Sequence, residues 1–111
     1  RCQRRSGTAA AATARAEPGS VRVVQGADAL RGWAPEGGRE KVFCVHCGSA
    51  LFSCEPGSGD YTGVRLGAVD GDPGVRPDSR QFVAYAACWE DVPDDALPRF
   101  PEARPNYADG S

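Results

Sequence analysis

The chain has 111 residues, with 13 Lys and Arg against 15 Asp and Glu, a formal net charge of −2 and a pI near 5.3. That balance excludes the broad basic surface on which non-specific nucleic-acid binding rests, so nucleic acid is not an expected partner. The longest apolar stretch, Thr8 to Ala14, is mostly alanine and far short of the roughly 20 residues needed to cross a bilayer, so no membrane partner is expected either.

No basic segment leads into an apolar one, so no secretion signal is read and a cytoplasmic location is the expectation. The sequence contains no Met and opens Arg1-Cys2-Gln3-Arg4-Arg5, from which a chain truncated at its N-terminus is expected. Its 14 glycines and 9 prolines fall between short apolar stretches. Such frequent punctuation favours short strands and tight turns over long helices, which makes all-β the expected class.

Thr8 to Arg15 is nearly continuous Ala and Thr, which propensity alone makes helical. A hairpin turn at Glu17-Pro18-Gly19-Ser20 instead predicts strands on both of its flanks. Ser20 to Gly26 alternates, with Val21 and Val23 on one face of a half-buried strand. Ala29 to Trp33 forms the next, Pro35-Glu36-Gly37-Gly38 turns the chain, and Lys41 to Cys44 enters a strand that Ser49 to Ser53 leaves. Tyr61 to Val69 sets Val64, Leu66 and Ala68 against Arg65 and glycines, as a strand with one core face. After the turn signal Asp70-Gly71-Asp72-Pro73-Gly74, Gln81 to Ala86 reads as another strand. Residues 91–111 contain Pro93, Pro98, Pro101 and Pro105, so that region is expected as an extended tail with at most one helical turn, Asp94 to Leu97. Trp33, Phe43, Phe52, Phe82 and Trp89 are assigned to the core. Asp70, Asp72, Asp94 and Asp95 sit in turn sequence, where aspartate serves local hydrogen bonding rather than catalysis.

Five cysteines decide the chemistry. Cys44-Val45-His46-Cys47-Gly48 interrupts two strands, and two thiolates at this spacing can both face a tetrahedral Zn²⁺. A redox pair of the thioredoxin kind opens a helix in a βαβ unit, whereas strand sequence lies on both sides here; a pair with no ligand is the third reading. Two ligands do not close a structural zinc site, and within this chain only Cys2, His46, Cys54 and Cys88 could be added. Cys54 and Cys88 read as small apolar residues. His46, between the knuckle cysteines, reads as an ordinary exposed histidine. The odd cysteine count speaks against a disulfide framework.

Taken in order, Cys2-Gln-Arg-Arg-Ser-Gly-Thr8, Phe43-Cys44-Val-His-Cys47-Gly-Ser-Ala-Leu-Phe52, Val64-Arg-Leu-Gly67 with Asp70-Gly-Asp-Pro73, and Trp89 with Asp95-Ala-Leu-Pro98 and Phe100-Pro101 resemble the glutathione-dependent formaldehyde-activating enzyme family, also called the centromere-protein-V/Gfa family. The resemblance spans nearly the whole chain. It implies an Mss4-like fold of antiparallel sheets with little helix, and one domain, residues 1–111, lacking its N-terminal zinc-ligand segment.

It also implies two zinc sites. Cys44 and Cys47 match the downstream half of a structural site, and Cys2 matches the last cysteine of a catalytic Cys-x-Cys-x-x-Cys. The other ligands would precede Arg1, so residues 1–111 alone are expected to bind zinc poorly and to be inactive. The implied activity of the intact protein is that of a carbon-sulfur lyase, adding glutathione or a related thiol to formaldehyde or a related aldehyde. Arg4 and Arg5 could pair with the carboxylates of glutathione, since a guanidinium fork suits a carboxylate. The alternative is a non-catalytic, zinc-stapled protein-binding module, because a shared fold fixes shape more securely than reaction.

Overall fold

The computed structural model describes residues 2–104, Cys2 by its backbone. They form two compact units, one of residues 12–73 and one joining residues 2–11 to 74–104.

The first unit is one antiparallel sheet, as the all-β expectation requires. Its strands are β1 (Thr13–Arg15), β2 (Leu30–Trp33), β3 (Glu40–Cys44), β4 (Ala50–Cys54) and β5 (Gly63–Arg65), in the order β1-β5-β4-β3-β2. The β3–β4 hairpin is the best-filled part. Glu40 pairs with Cys54 and Val42 with Phe52, after which the register shifts and Phe43 faces Ala50, leaving Leu51 as the extra residue of a bulge. Val42 and Cys54 are the buried apolar side chains among the described residues. Phe52 is half-buried and stacks on Tyr61, ring centroids 4.7 Å apart and planes 6° from parallel, the offset-stacking range that favours aromatic pairs.

A buried arginine and a close strand approach shape the sheet near the β4–β5 connection. Arg39, buried ahead of β3, donates from Nη2 to Thr62 Oγ1 at 2.6 Å and from Nη1 to the Glu55 carboxylate at 3.3 Å, tying the start of β3 to the segments on either side of the β4–β5 connection. Gly63 in β5 lies opposite Ser53, and a Cβ there would stand 2.1 Å from Ser53 Oγ. Only glycine lets β5 approach β4 this closely.

Several sequence expectations are corrected. The turn at 17–20 forms, Ser20 N–H donating to Glu17 O at 3.0 Å, and its upstream flank is β1, where tertiary pairing overrides the helical propensity of the alanines. Its downstream flank is not a strand. Residues 21–24 keep the alternating burial, Val21 and Val23 half-buried, Arg22 and Val24 exposed, yet join no ladder, because β1 already occupies the open side of β5. The strand expected over Tyr61 to Val69 shrinks to Gly63–Arg65, the chain then tightening into a 3₁₀ turn at Leu66–Ala68.

In the second unit, a short helix that the sequence reading did not include, α1 (Cys2–Ser6), ends with Gly7 N–H donating to Gln3 O at 2.8 Å. Gln81 to Ala86 is no strand. Arg80 forms a parallel bridge with Arg99, but Phe82 has φ 56° and ψ 34°, a left-handed conformation that breaks the extended run and opens a 3₁₀ turn at Val83–Tyr85. No helical turn forms at Asp94 to Leu97, within the expectation of at most one there: Ala96 has φ 61°, and Asp95 Oδ1 accepts the Leu97 N–H at 3.3 Å, a local bond that competes with a helical one. The tail expected over 91–111 runs past the described residues, which end at 104.

The assignment of aromatics to the core is corrected for three of them, Trp33, Phe82 and Trp89, which are 47%, 45% and 65% exposed. Trp33 ends the edge strand β2, with no strand on its outer side, while Phe82 takes the left-handed corner and Trp89 lies in a turn, outside any strand. No helix among the described residues is long and apolar enough to cross a membrane.

Candidate functional site

The site with the most pronounced chemistry is the turn that joins β3 to β4. Cys44 ends β3, and its N–H donates to Ser49 O at 3.0 Å, continuing the hairpin ladder. Gly48 N–H reaches back to Cys44 O at 2.7 Å, which is possible because Gly48 has φ 77°, where a side chain would be strained. Val45 N–H donates to Ala29 O at 2.8 Å and fixes the turn to the start of β2. Backbone bonds on both sides thus hold Cys44, half-buried, and Cys47, exposed, on a single turn.

The electrostatics favour deprotonation at one of the pair. Cys47 Sγ lies 3.0 Å from Ser49 Oγ, and its thiol is held below its ordinary value, first by that hydroxyl, then by the Ser49 backbone, then by the Cys44 side chain. Each of these stabilises a thiolate by hydrogen bonding. Nothing in the sequence pattern had singled out Ser49, although the run Cys47-Gly48-Ser49 is the signal that would have found it.

Thiolates on a rigid turn suit zinc, whose structural sites are tetrahedral and sulfur-rich. The donor chemistry fits, and the donors number two. Among the described residues no group of three or more His, Cys, Asp or Glu side chains could hold a metal. Cys54 is excluded by register. It pairs with Glu40, four residues before Cys44 on β3, a separation of about 13 Å along the strand. Two sulfurs sharing a zinc are at most about 4.6 Å apart. Its thiol instead points to Glu40 Oε1 at 3.9 Å, and it is buried as a small apolar residue would be. His46 is exposed on the turn, the ordinary placement expected of it. Cys88 is also exposed and sits at the start of a turn in the second unit.

Cys2, Arg4 and Arg5 all fall on α1, in that second unit, with Arg4 exposed and Arg5 half-buried. The helix is held from one side by Gln3, whose Nε2 donates to Tyr85 O at 3.0 Å. Asp95 has a structural partner rather than a catalytic one: Arg80 donates to it from Nε at 3.0 Å and also from Nη2, and this arginine holds its carboxyl below the ordinary aspartate range. An open groove is lined by Asp91, Val92, Pro93, Asp94, Ala96 and Arg99, where the Arg99 guanidinium donates to Val92 O and Pro93 O at 3.5 and 2.7 Å.

An antiparallel sheet whose β3–β4 hairpin closes on a Cys-x-x-Cys-Gly turn defines an all-β protein with a cysteine knuckle. Residues 1–85 match the model of the glutathione-dependent formaldehyde-activating enzyme family, and the chain belongs to that family. Comparison with curated proteins and with solved structures gave no match. Membership associates the chain with an enzymatic, glutathione-dependent and formaldehyde-related function, and the matched stretch takes in Cys2, Arg4, Arg5, Cys44 and Cys47.

Proposed function

We propose that the intact protein is a zinc-dependent enzyme of the carbon-sulfur lyase class that adds glutathione to formaldehyde to give S-hydroxymethylglutathione. The observation that carries the reading is the Cys44–Cys47 turn, with its Gly48 corner and its thiol of lowered pKa, inside a chain of this family. In this reading Cys44 and Cys47 are two of four ligands of a structural zinc. Cys2 is one of three cysteines of a catalytic site, and the remaining ligands of both sites come from outside residues 2–104.

Zinc bound at such a catalytic site would supply a Lewis acid able to lower the pKa of a thiol or polarise a carbonyl oxygen. The net reaction needs no oxidant. Sulfur bonds to the aldehyde carbon, the carbonyl π pair moves to oxygen, and the thiol's proton ends there. The chain's own contribution on the substrate side is Arg4 and Arg5, whose guanidinium groups pair with the two carboxylates of glutathione and fix its thiol in place. A cytoplasmic location suits free thiols, which a reducing compartment maintains.

The test is exchange NMR on glutathione and formaldehyde, with and without the complete, zinc-loaded protein. Acceleration of adduct formation and breakdown is expected, weakened when Arg4 or Arg5 is reversed to Glu. A protein that carries zinc yet gives no acceleration at high concentration would overturn the enzymatic reading and leave the zinc-stapled binding module. Substrate affinity unchanged by R4E and R5E would remove the arginines from the site.

A further inference from the structure

The family match ends at Tyr85, but the structure does not treat that residue as an end. Residues 80 and 82–85 are hydrogen-bonded to the segment 98–102. Arg80 N–H donates to Pro98 O and Phe100 N–H to Arg80 O, both at 2.8 Å; Phe82 N–H donates to Glu102 O at 3.0 Å and Val83 N–H to Phe100 O at 3.1 Å. Further along, Arg104 N–H donates to Gln81 Oε1 at 2.9 Å. The corner these bonds hold is the left-handed Phe82, a conformation that a non-glycine residue keeps only where its surroundings over-determine it.

Tyr85 then faces two ways. Its hydroxyl donates to Glu102 Oε1 at 2.7 Å, and its carbonyl accepts from Gln3 Nε2 at 3.0 Å. Gln3 stands in α1 between Cys2 and Arg4. The chain of contacts Glu102–Tyr85–Gln3 therefore runs from beyond the matched residues to the helix that carries the residues assigned to substrate.

We propose that Tyr85 and Glu102 are positioning residues for α1, so that the segment 98–104 sets the affinity of the site for glutathione. The inference rests on the reading of Arg4 and Arg5 given above. A helix of five residues has too few internal bonds to hold its own place, and its orientation must come from packing. Glu102 raises the pKa of the Tyr85 phenol by hydrogen bonding and charge, which keeps the proton on the donor. Neither residue touches the reacting atoms in this scheme. Loss of either should weaken glutathione binding and leave turnover of the bound complex near its original rate.

The experiment compares Tyr85→Phe, Glu102→Ala, Glu102→Gln and Gln3→Ala in the complete, zinc-loaded protein. Three quantities are measured: glutathione affinity by NMR titration without aldehyde, kcat and KM by exchange NMR, and hydrogen exchange of the Gly7 amide that closes α1. Removing one such hydrogen bond should weaken binding about fivefold. Y85F, E102A and Q3A should each show this rise in Kd and KM, with kcat within about twofold and Gly7 exchanging faster. E102Q keeps an acceptor for the phenol and should stay close to the parent. Y85F and E102A that bind glutathione as the parent does would overturn the proposal, as would an E102Q no better than E102A. A parent that binds glutathione without accelerating the reaction would refute the enzymatic reading alone, and the Kd and Gly7 series would still decide the brace. A parent that does not bind glutathione would overturn both.

Discussion

Gly63→Ala is the sharpest test of how the sheet behind the knuckle is built. The added methyl would stand 2.1 Å from Ser53 Oγ, while Ser53 Cβ and Thr13 Cγ2 both lie at 3.4 Å, ordinary contact. Ser53 is itself buried, so its hydroxyl has little room to turn away. Overpacking of this kind costs about 1–3 kcal/mol. Alanine restricts the unfolded chain more than glycine does and returns about 0.4–1 kcal/mol. A net loss of about 1–2 kcal/mol remains, or a fall in Tm of roughly 5–15 °C for a unit of this size. Because the clash is with one oxygen, Ser53→Ala should rescue it. The double variant should recover most of the loss, with a coupling energy of about 1 kcal/mol or more in a double-mutant cycle by urea unfolding. A G63A protein as stable as the parent, or a loss that S53A leaves untouched, would refute the close-approach argument.

Three further outcomes follow from the geometry. Thr62→Val removes the acceptor that the buried Arg39 uses at 2.6 Å, and should lower stability by about 1–3 kcal/mol; an unchanged urea midpoint would contradict it. Because the Arg80 hydrogen bond depresses the folded-state pKa of Asp95, its contribution is present above the ordinary aspartate range and lost as pH falls through the lowered value. The stability gap between the parent and Asp95→Asn should therefore be constant near neutrality and shrink in acid, and a gap that does not change with pH would refute the pairing. In the complete protein, Cys44→Ser or Cys47→Ser should each cost about one zinc per chain by elemental analysis, a single missing thiolate being enough to open a tetrahedral site; an undiminished metal content would place the zinc elsewhere.

What the sequence made legible was the part of the fold specified by local pattern. Lys41 to Cys44, Ser49 to Ser53 and Ala29 to Trp33 are short apolar stretches bounded by turn residues that agree with their tertiary pairing, and β3, β4 and β2 fall on them within a residue or so. The knuckle was visible for the same reason, since cysteine spacing and the following glycine are local facts. The failures lie where pairing is decided at a distance. Val21 and Val23 alternate as a strand should, but the place beside β5 goes to Thr13–Arg15, whose sequence looks helical. Phe82 offers no sign of a left-handed backbone, because the bonds that hold it come from residues 100 and 102. The contact from Gln3 to Tyr85 spans 82 residues and leaves no periodic trace.

The sheet order also carries a schedule. β2, β3 and β4 are consecutive in both chain and space, whereas β1 meets β5 only after the whole stretch between them has been laid down. Short-range pairings close with less entropy lost than distant ones, so the hairpin ending at the two sulfurs should be among the earliest structures to appear. A donor pair presented that early would be open to a metal while the outer strands are still finding their neighbours, so the zinc proposed above would take part in assembly as well as in the finished protein.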